Sequence, residues 1–372
     1  MNTVKKNTTL LIAYMVISFL YYVVGDSLRL VLFPLVMLIC FLSLGNINAV
    51  DSFLRSKWII YFIVMFFGVV LIQVTSGNFT PFVLYILAAP VMAHFFINKV
   101  FDTKKIKIPF YLAIAFMAVH FARFRTMEGI FSEMSPNYVS VVLIMNASVL
   151  AIVQYRQREK VRIVPAILTV LFSILAFGRS GIGCSLVLLA AVFLINWSAM
   201  TKVKKYLVLA SFIIPFIVVV IAQGQYLLNM IYGISFFKKF SDNGLDSPAR
   251  DILMREYFVH LNKNDLFYYI GYNYGKNPWF LHYGLNPHNS YIRLHHYFGV
   301  FFFLIVPTLI ISFLKLLYSN RFYALILLAI LLRAYTDTVL FLSLYDFLVI
   351  SLIFMTFKKK KMMHPAIEIN DI

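Results

Sequence analysis

Residues 284–299 read Gly-Leu-Asn-Pro-His-Asn-Ser-Tyr-Ile-Arg-Leu-His-His-Tyr-Phe-Gly, three histidines and an arginine set directly before a long apolar run. Polar groups at the margin of such a run are costly unless they are used. His288 can take a proton from a hydroxyl, since a free imidazole titrates near pH ~6.5, or it can hydrogen-bond an anionic oxygen. On a helix, His288, Ile292, His295 and Gly299 share one face, while Arg293 and His296 point elsewhere. His295 and His296 have a plain reading as interfacial polar groups, and Asn289 and Ser290 can equally cap that helix.

Isolated arginines form the second set. Arg179 lies in Phe177-Gly-Arg-Ser-Gly, Arg250 in Ser247-Pro-Ala-Arg-Asp-Ile-Leu, and Arg333 precedes Asp337 by four residues. Asp246 or Ser247 can cap a helix that Pro248 enters. A guanidinium is a permanently charged planar fork of donors that suits phosphate oxygens. The structural alternatives are that Arg179 snorkels to water, Arg333 pairs with Asp337, and Arg250 is a solvated helix residue beside Asp251.

Hydrophobic residues make up 62% of the chain, and mean hydropathy is +0.85. Apolar runs approaching the ~20 residues needed to cross a bilayer recur at about 9–25, 28–44, 58–74, 79–97, 108–122, 136–154, 162–177, 181–197, 206–222, 297–318, 321–336 and 338–357. The expected fold is therefore an all-α polytopic bundle of about twelve transmembrane spans. Nine spans fill 1–222, a large loop with short helices covers 223–287, further spans fill 288–357, and a tail covers 358–372. Together these make a single integral membrane domain. Lys5 and Lys6 before the first run resemble a signal peptide, but no small-residue cleavage site follows, which predicts a retained span.

Charge gives an orientation. With the N-terminus in the cytoplasm, the connectors on that side collect most of the 33 basic residues, including Lys99, Lys104, Lys105, Lys107, Arg156, Arg158, Lys160, Arg162 and Lys358 to Lys361. Cytoplasmic loops of membrane proteins carry this bias, so the net charge of +18 reads as a topology signal. Both termini are then cytoplasmic. Basic residues dispersed over short loops, without an interleaved aromatic stripe, exclude nucleic acid as a partner. Cys40 and Cys184 fall in separate spans and indicate neither a disulfide framework nor a metal cluster.

The long connection 223–287 falls on the exported side. It is rich in aromatics, among them Tyr257, Phe258, Tyr268, Tyr269, Tyr272, Tyr274, Trp279 and Tyr283. Aromatic faces interspersed with Asn, Asp and Arg suit a sugar, and they equally suit an interfacial aromatic belt.

Gly-Arg-Ser-Gly at the start of a span, the Ser-x-x-Arg helix entry, the Gly271-Tyr-Asn-Tyr-Gly275 stretch and Pro287-His-Asn-Ser-Tyr-Ile ahead of Gly299 follow one another in this chain. In that order they resemble the O-antigen polymerase and O-antigen ligase superfamily. The resemblance covers about residues 163–318. It implies a glycosyltransferase that moves glycan from an undecaprenyl diphosphate carrier to a glycan acceptor at the periplasmic face of the bacterial inner membrane, with no cofactor and no metal. Its partners would be the lipid-linked donor and acceptor, membrane lipids, a chain-length regulator and a flippase.

Under that resemblance His288, Arg179 and Arg250 are the expected catalytic residues. Arg293, Arg333, Asn289, Tyr291 and His295 are the expected substrate-binding residues. The arginines would neutralise the departing diphosphate. His288 would orient or deprotonate the acceptor hydroxyl, or bind the diphosphate itself. The short chain and the Pro-His-Asn-Ser-Tyr-Ile-x-Leu-His wording look more like the polymerase, which joins repeat units, than the ligase, which delivers glycan to lipid A core. A polysaccharide flippase is the rival of another class, but the two halves show no internal repeat and the polar residues collect on one face. A non-catalytic scaffold would leave the arginines and histidine unexplained. The glycines from Gly178 to Gly183 read as close packing of two spans.

Overall fold

The computed structural model describes residues 3–45, 57–132, 134–198, 200–203, 205 and 248–357. The expected span at 206–222, the first part of the long loop and the tail lie outside the described residues. Every regular element described is helical. Numbered over these residues, the helices are α1 (Thr3–Val23), α2 (Asp26–Leu44), α3 (Lys57–Ser76), α4 (Tyr85–Asn98), α5 (Ile108–Phe124), α6 (Tyr138–Arg156), α7 (Val164–Leu175) and α8 (Arg179–Ser198). There follow α9 (Pro248–Leu261), α10 (Leu266–Ile270), α11 (Pro278–His282), α12 (Ser290–Phe298), α13 (Phe302–Ser319), α14 (Arg321–Thr336) and α15 (Asp346–Phe357).

Six helical stretches among the described residues are long and apolar enough to cross a membrane: Thr3–Val23, Trp58–Ser76, Pro81–Asn98, Tyr138–Arg156, Arg179–Ser198 and Ser290–Ser319. Val31–Leu44, Ile108–Phe124, Val164–Leu175 and Asp346–Phe357 are apolar but shorter. The protein is thus a helical membrane protein. In a water-soluble bundle apolar faces turn inward, but here α3 combines a mean hydropathy of 2.3 with burial of only 17% of its residues. Its outward-facing Phe67 and Leu71 need an apolar solvent.

α6 is the central helix. It is buried on all sides, 94% of its apolar stretch being enclosed. Close approach to α8 depends on Gly181, where a Cβ atom would stand 2.3 Å from the Ser140 hydroxyl. A Cβ on Gly178 would meet Asn137 at 2.8 Å, whereas Gly183 faces open space. Two of the glycines read as packing residues therefore do pack spans together. α14 lies along α8, and α15 along α4.

Helix ends meet in two groups. At one end the Asp102 N–H donates to Thr8, Gln157 donates to the Phe101 carbonyl, Arg156 binds the Phe96 and Ile97 carbonyls, and Asn320 donates to Tyr155. These are the connectors in which the basic residues concentrate. At the other, the loop end, α9 and α10 dock on α12 through His295, and Arg250 of α9 reaches the finish of α14. Their small apolar core is Leu253, Tyr257, Leu261, Tyr274, Phe280 and Ile292.

Two departures from the expected spans shape the loop end. The span expected at 297–318 begins earlier, at Ser290, and is broken at Gly299 (φ 50°), where a Cβ would meet the Tyr269 carbonyl oxygen at 2.1 Å. Only glycine lets α10 sit against this break. The span expected at 338–357 is helical only from Asp346. Residues 337–345 are irregular yet buried. Non-helical backbone within such a bundle survives only if its polar groups are satisfied. The Val339 and Leu340 N–H groups donate to Ser290 Oγ, those of Phe341 and Ser343 donate to the Asp346 carboxylate, and Tyr14 donates to the Leu344 carbonyl.

Candidate active site

Asn286-Pro-His288 forms a tight turn before α12. Asn286 Oδ1 accepts the His288 N–H at 2.9 Å and the Thr338 hydroxyl at 3.1 Å. His288 takes a left-handed backbone (φ 48°), a conformation non-glycine residues rarely hold. The turn therefore aims the imidazole at a fixed place at a cost of about 1 kcal/mol. α12 then starts on Asn289, whose side chain accepts the N–H groups of Tyr291 and Ile292. Asn289 is 2% exposed and so acts as a helix cap.

His288 faces the end of α14. Its Nδ1 lies 3.9 Å from Asp337 Oδ1, and the imidazole side chain is 32% exposed while the carboxylate is 3% exposed. The pair is longer than a hydrogen bond. Asp337 is itself held by Arg333 Nη2 at 3.2 Å and by the Thr338 N–H at 2.9 Å. Arg250 arrives from α9, donating from Nη2 to the Thr336 carbonyl at 3.1 Å, while its Nε is buried without a partner among the described residues.

Electrostatics bind these groups into one centre. Burial pushes the His288 imidazole below its ordinary pKa; Asp337 opposes that shift, and Arg250 and Arg333 add to it. The imidazole is therefore neutral near pH 7, with a lone pair for a proton. Arg250 remains partly unsatisfied beside it, a donor fork suited to an anion.

The expected site residues divide by position. His288 and Arg250 come together, with Arg333 behind them. Arg333 is fully buried, and its donors are spent on Ser140, Thr336, the Asn137 carbonyl and Asp337. It holds the carboxylate and joins α14 to α6, with no donor turned outward. Arg179 is the first residue of α8, half-buried, one position after the Gly178 that abuts Asn137. The Asn137 carbonyl is the one that receives Arg333, so the start of α8 borders the centre.

Other expected residues build the frame. His295 Nε2 meets the Tyr268 carbonyl at 3.1 Å and its Nδ1 meets the Tyr257 hydroxyl at 2.7 Å, so both ring nitrogens are occupied in docking α9 and α10 on α12. Tyr291 is half-buried and its hydroxyl points to the Leu331 carbonyl at 3.4 Å. Arg293 does not share the groups around His288. It lies half-buried over the Tyr297 ring, 6.0 Å from its centroid.

Asp337 is the residue that sequence reasoning treated only as an ion-pair partner. The available signal was a lone carboxylate at the predicted exported end of a span. Ser290 also gains a role, since its hydroxyl donates to the Asp337 carbonyl at 2.7 Å while accepting two N–H groups. Among the described residues no three His, Cys, Asp or Glu side chains gather in a way that could hold a metal ion.

Fold and site together define a helical membrane protein with a cationic, histidine-bearing centre at one end of its bundle. Compared with protein-family models, curated proteins and solved structures, the chain matches none.

Proposed function

We propose that this protein is an O-antigen polymerase, joining undecaprenyl diphosphate-linked repeat units at the periplasmic face of the inner membrane. The observation that carries the reading is the convergence of Arg250, His288 and Asp337 at the loop end, from three separate parts of the chain. It is supported by the resemblance of the motifs that hold Arg179, Arg250 and His288. The loop end would face the periplasm, with the basic connectors in the cytoplasm, and the bundle would have about twelve spans.

In this reading the acceptor hydroxyl attacks the anomeric carbon of the donor. Its C–O bond forms as the bond from that carbon to the diphosphate breaks, with inversion. The hydroxyl proton passes to the free nitrogen of His288, while Asp337 steadies the resulting imidazolium. Arg250, with Arg179 at the border of the centre, neutralises charge gathering on the leaving diphosphate, the kind of electrostatic stabilisation that is commonly the largest catalytic contribution. The alternative within the superfamily is ligation to lipid A core, which would use the same residues.

The test is the lipopolysaccharide of a deletion strain, complemented with wild type or His288→Ala. Polymerase function predicts lipopolysaccharide bearing a single repeat unit with the variant and a full ladder with wild type. Loss of all O-antigen, with polymer stranded on the carrier, would assign the ligase instead. An unchanged ladder would contradict both.

A further inference from the structure

Thr338 touches both halves of the His288–Asp337 pair. Its main-chain N–H donates at 2.9 Å to Asp337 Oδ1, the carboxylate oxygen that faces His288 Nδ1. Its side-chain hydroxyl lies 3.1 Å from Asn286 Oδ1, the atom that also accepts the His288 N–H and so shapes the turn carrying the imidazole. A third neighbour comes from a distant part of the chain. The hydroxyl of Tyr138, the first residue of α6, lies 2.8 Å from Thr338 Oγ1 and 3.3 Å from the Thr338 carbonyl.

The direction of each hydrogen bond follows from the protons available. The His288 N–H can only donate, so the Asn286 atom it meets is the amide oxygen. That oxygen can only accept, so the single proton of the Thr338 hydroxyl is directed at Asn286. With its proton spent, Thr338 Oγ1 is an acceptor toward Tyr138, and the phenol donates. The order from Tyr138 through Thr338 to Asn286 therefore has one polarity, and the His288 N–H meets it from the other side. The phenol itself is firmly placed: Tyr138 is 4% exposed and its ring lies 5.5 Å from that of Tyr22. Ser290 joins only main-chain groups of the same region, whereas Thr338 holds the carboxylate oxygen and the turn that bears the base.

We propose that Thr338 is a positioning residue that aims His288 at Asp337, with Tyr138 fixing the direction of its hydroxyl. Neither residue touches substrate. The inference rests on the reading that His288 takes up the acceptor proton, and it supplies what holds that base in place. The left-handed backbone of His288 (φ 48°) is a conformation that persists only where its surroundings enforce it. Thr338→Val isolates the effect, because it keeps the side-chain shape and the N–H to Asp337. It also strands no partner: Asn286 Oδ1 retains the His288 N–H, and the Tyr138 hydroxyl retains the Thr338 carbonyl.

The test uses purified full-length protein, undecaprenyl diphosphate-linked repeat units as substrate, and NMR of isotope-labelled histidine, with the His288 signal identified by its loss in His288→Ala. Thr338→Val should lower kcat on the order of 10²-fold, the cost of a small misplacement of a reacting group, with KM and melting temperature unchanged. The His288 pKa should fall, because Asp337, which raises it, no longer stands in line. Arg250 and Arg333, which lower it, are held by other groups and stay. Thr338→Ser keeps the hydroxyl and should restore both values. Tyr138→Phe keeps the ring and should show a smaller loss of the same kind. Adding it to Thr338→Val should cost nothing more, since both changes break one chain of contacts. Wild-type kcat and wild-type His288 pKa in Thr338→Val, failure of Thr338→Ser to restore them, or multiplying losses in the double variant would overturn the proposal. Should one of Thr338→Val and Tyr138→Phe not fold, the other decides. The function reading fails separately: wild-type protein that transfers no glycan would remove it, while a His288 pKa lowered by Thr338→Val and restored by Thr338→Ser would still establish the positioning role.

Discussion

The Ser290 hydroxyl donates to the Asp337 main-chain carbonyl at 2.7 Å and accepts the N–H groups of Val339 and Leu340 at 2.8 and 3.1 Å. One buried side chain thus joins the first residue of α12 to the irregular segment that ends α14. His288 lies two residues before Ser290, so the same contact sets the spacing of His288 and Asp337. Ser290→Ala would strand two buried N–H donors, each worth about 1–3 kcal/mol. We expect a marked drop in the thermal midpoint in detergent together with loss of activity. A variant with wild-type stability would show that the segment finds other partners.

The acid limb of the pH profile should lie below the ordinary imidazole value of about 6.5, because burial and the two arginines favour neutral His288. In the proposed mechanism the neutral imidazole is the active form, so activity should fall as pH drops through its pKa. Asp337 raises that pKa, and Asp337→Asn should move the limb to still lower pH while reducing the maximal rate. Arg250→Gln removes a like charge and should move it upward. Rate measurements from pH 4 to 8 decide; a limb unmoved by either change would place the titrating group elsewhere.

Arg333 is an internal clamp, so its loss should appear first as instability. Arg333→Gln leaves Asp337 buried without its cation, a change that costs on the order of 3–5 kcal/mol. Arg333→Lys should fail nearly as badly, because one ammonium cannot reach Ser140, Asn137 and Asp337 as the planar fork does. Arg333→Gln/Asp337→Asn should recover part of the lost stability, since the uncompensated charge is gone. Equal melting of all three variants and wild type would refute the clamp.

His295 offers the contrasting case. Both its ring nitrogens hold the loop helices, so His295→Phe should loosen α9 and α10 without removing a reacting group. Hydrogen exchange or limited proteolysis across 257–270 should rise. Catalysis should fall far less than in His288→Ala, and the pH limb should stay in place. Equal catalytic loss in the two variants would bring His295 into the chemistry.

Much of the fold was legible because hydrocarbon-crossing helices announce themselves by length and composition, as α1, α3, α6 and α8 do. The start of α15 was not. Residues 338–345 read as part of an apolar span, yet their N–H groups find the distant Ser290 hydroxyl and the nearby Asp346 carboxylate in place of a helical carbonyl, and a hydropathy pattern registers neither partnership. Spacing showed that Arg333 and Asp337 share a helix face. It did not show that Ser140 and Asn137 consume the guanidinium, because those contacts come from α6 and its entry, nearly two hundred residues away. His288 stood out by its motif, whereas its distinction from His295 needed the loop helices that occupy one ring and leave the other open.

In the proposed function His288 and Arg250 carry glycosyl transfer from a lipid diphosphate. Purified protein supplied with undecaprenyl diphosphate-linked repeat units should lengthen the glycan and release undecaprenyl diphosphate. His288→Ala should slow that release about 10²- to 10⁴-fold, the range of general-base catalysis, with its melting temperature unchanged. Release at the wild-type rate from His288→Ala, or no release from wild-type protein that binds the substrate, would rule out that role.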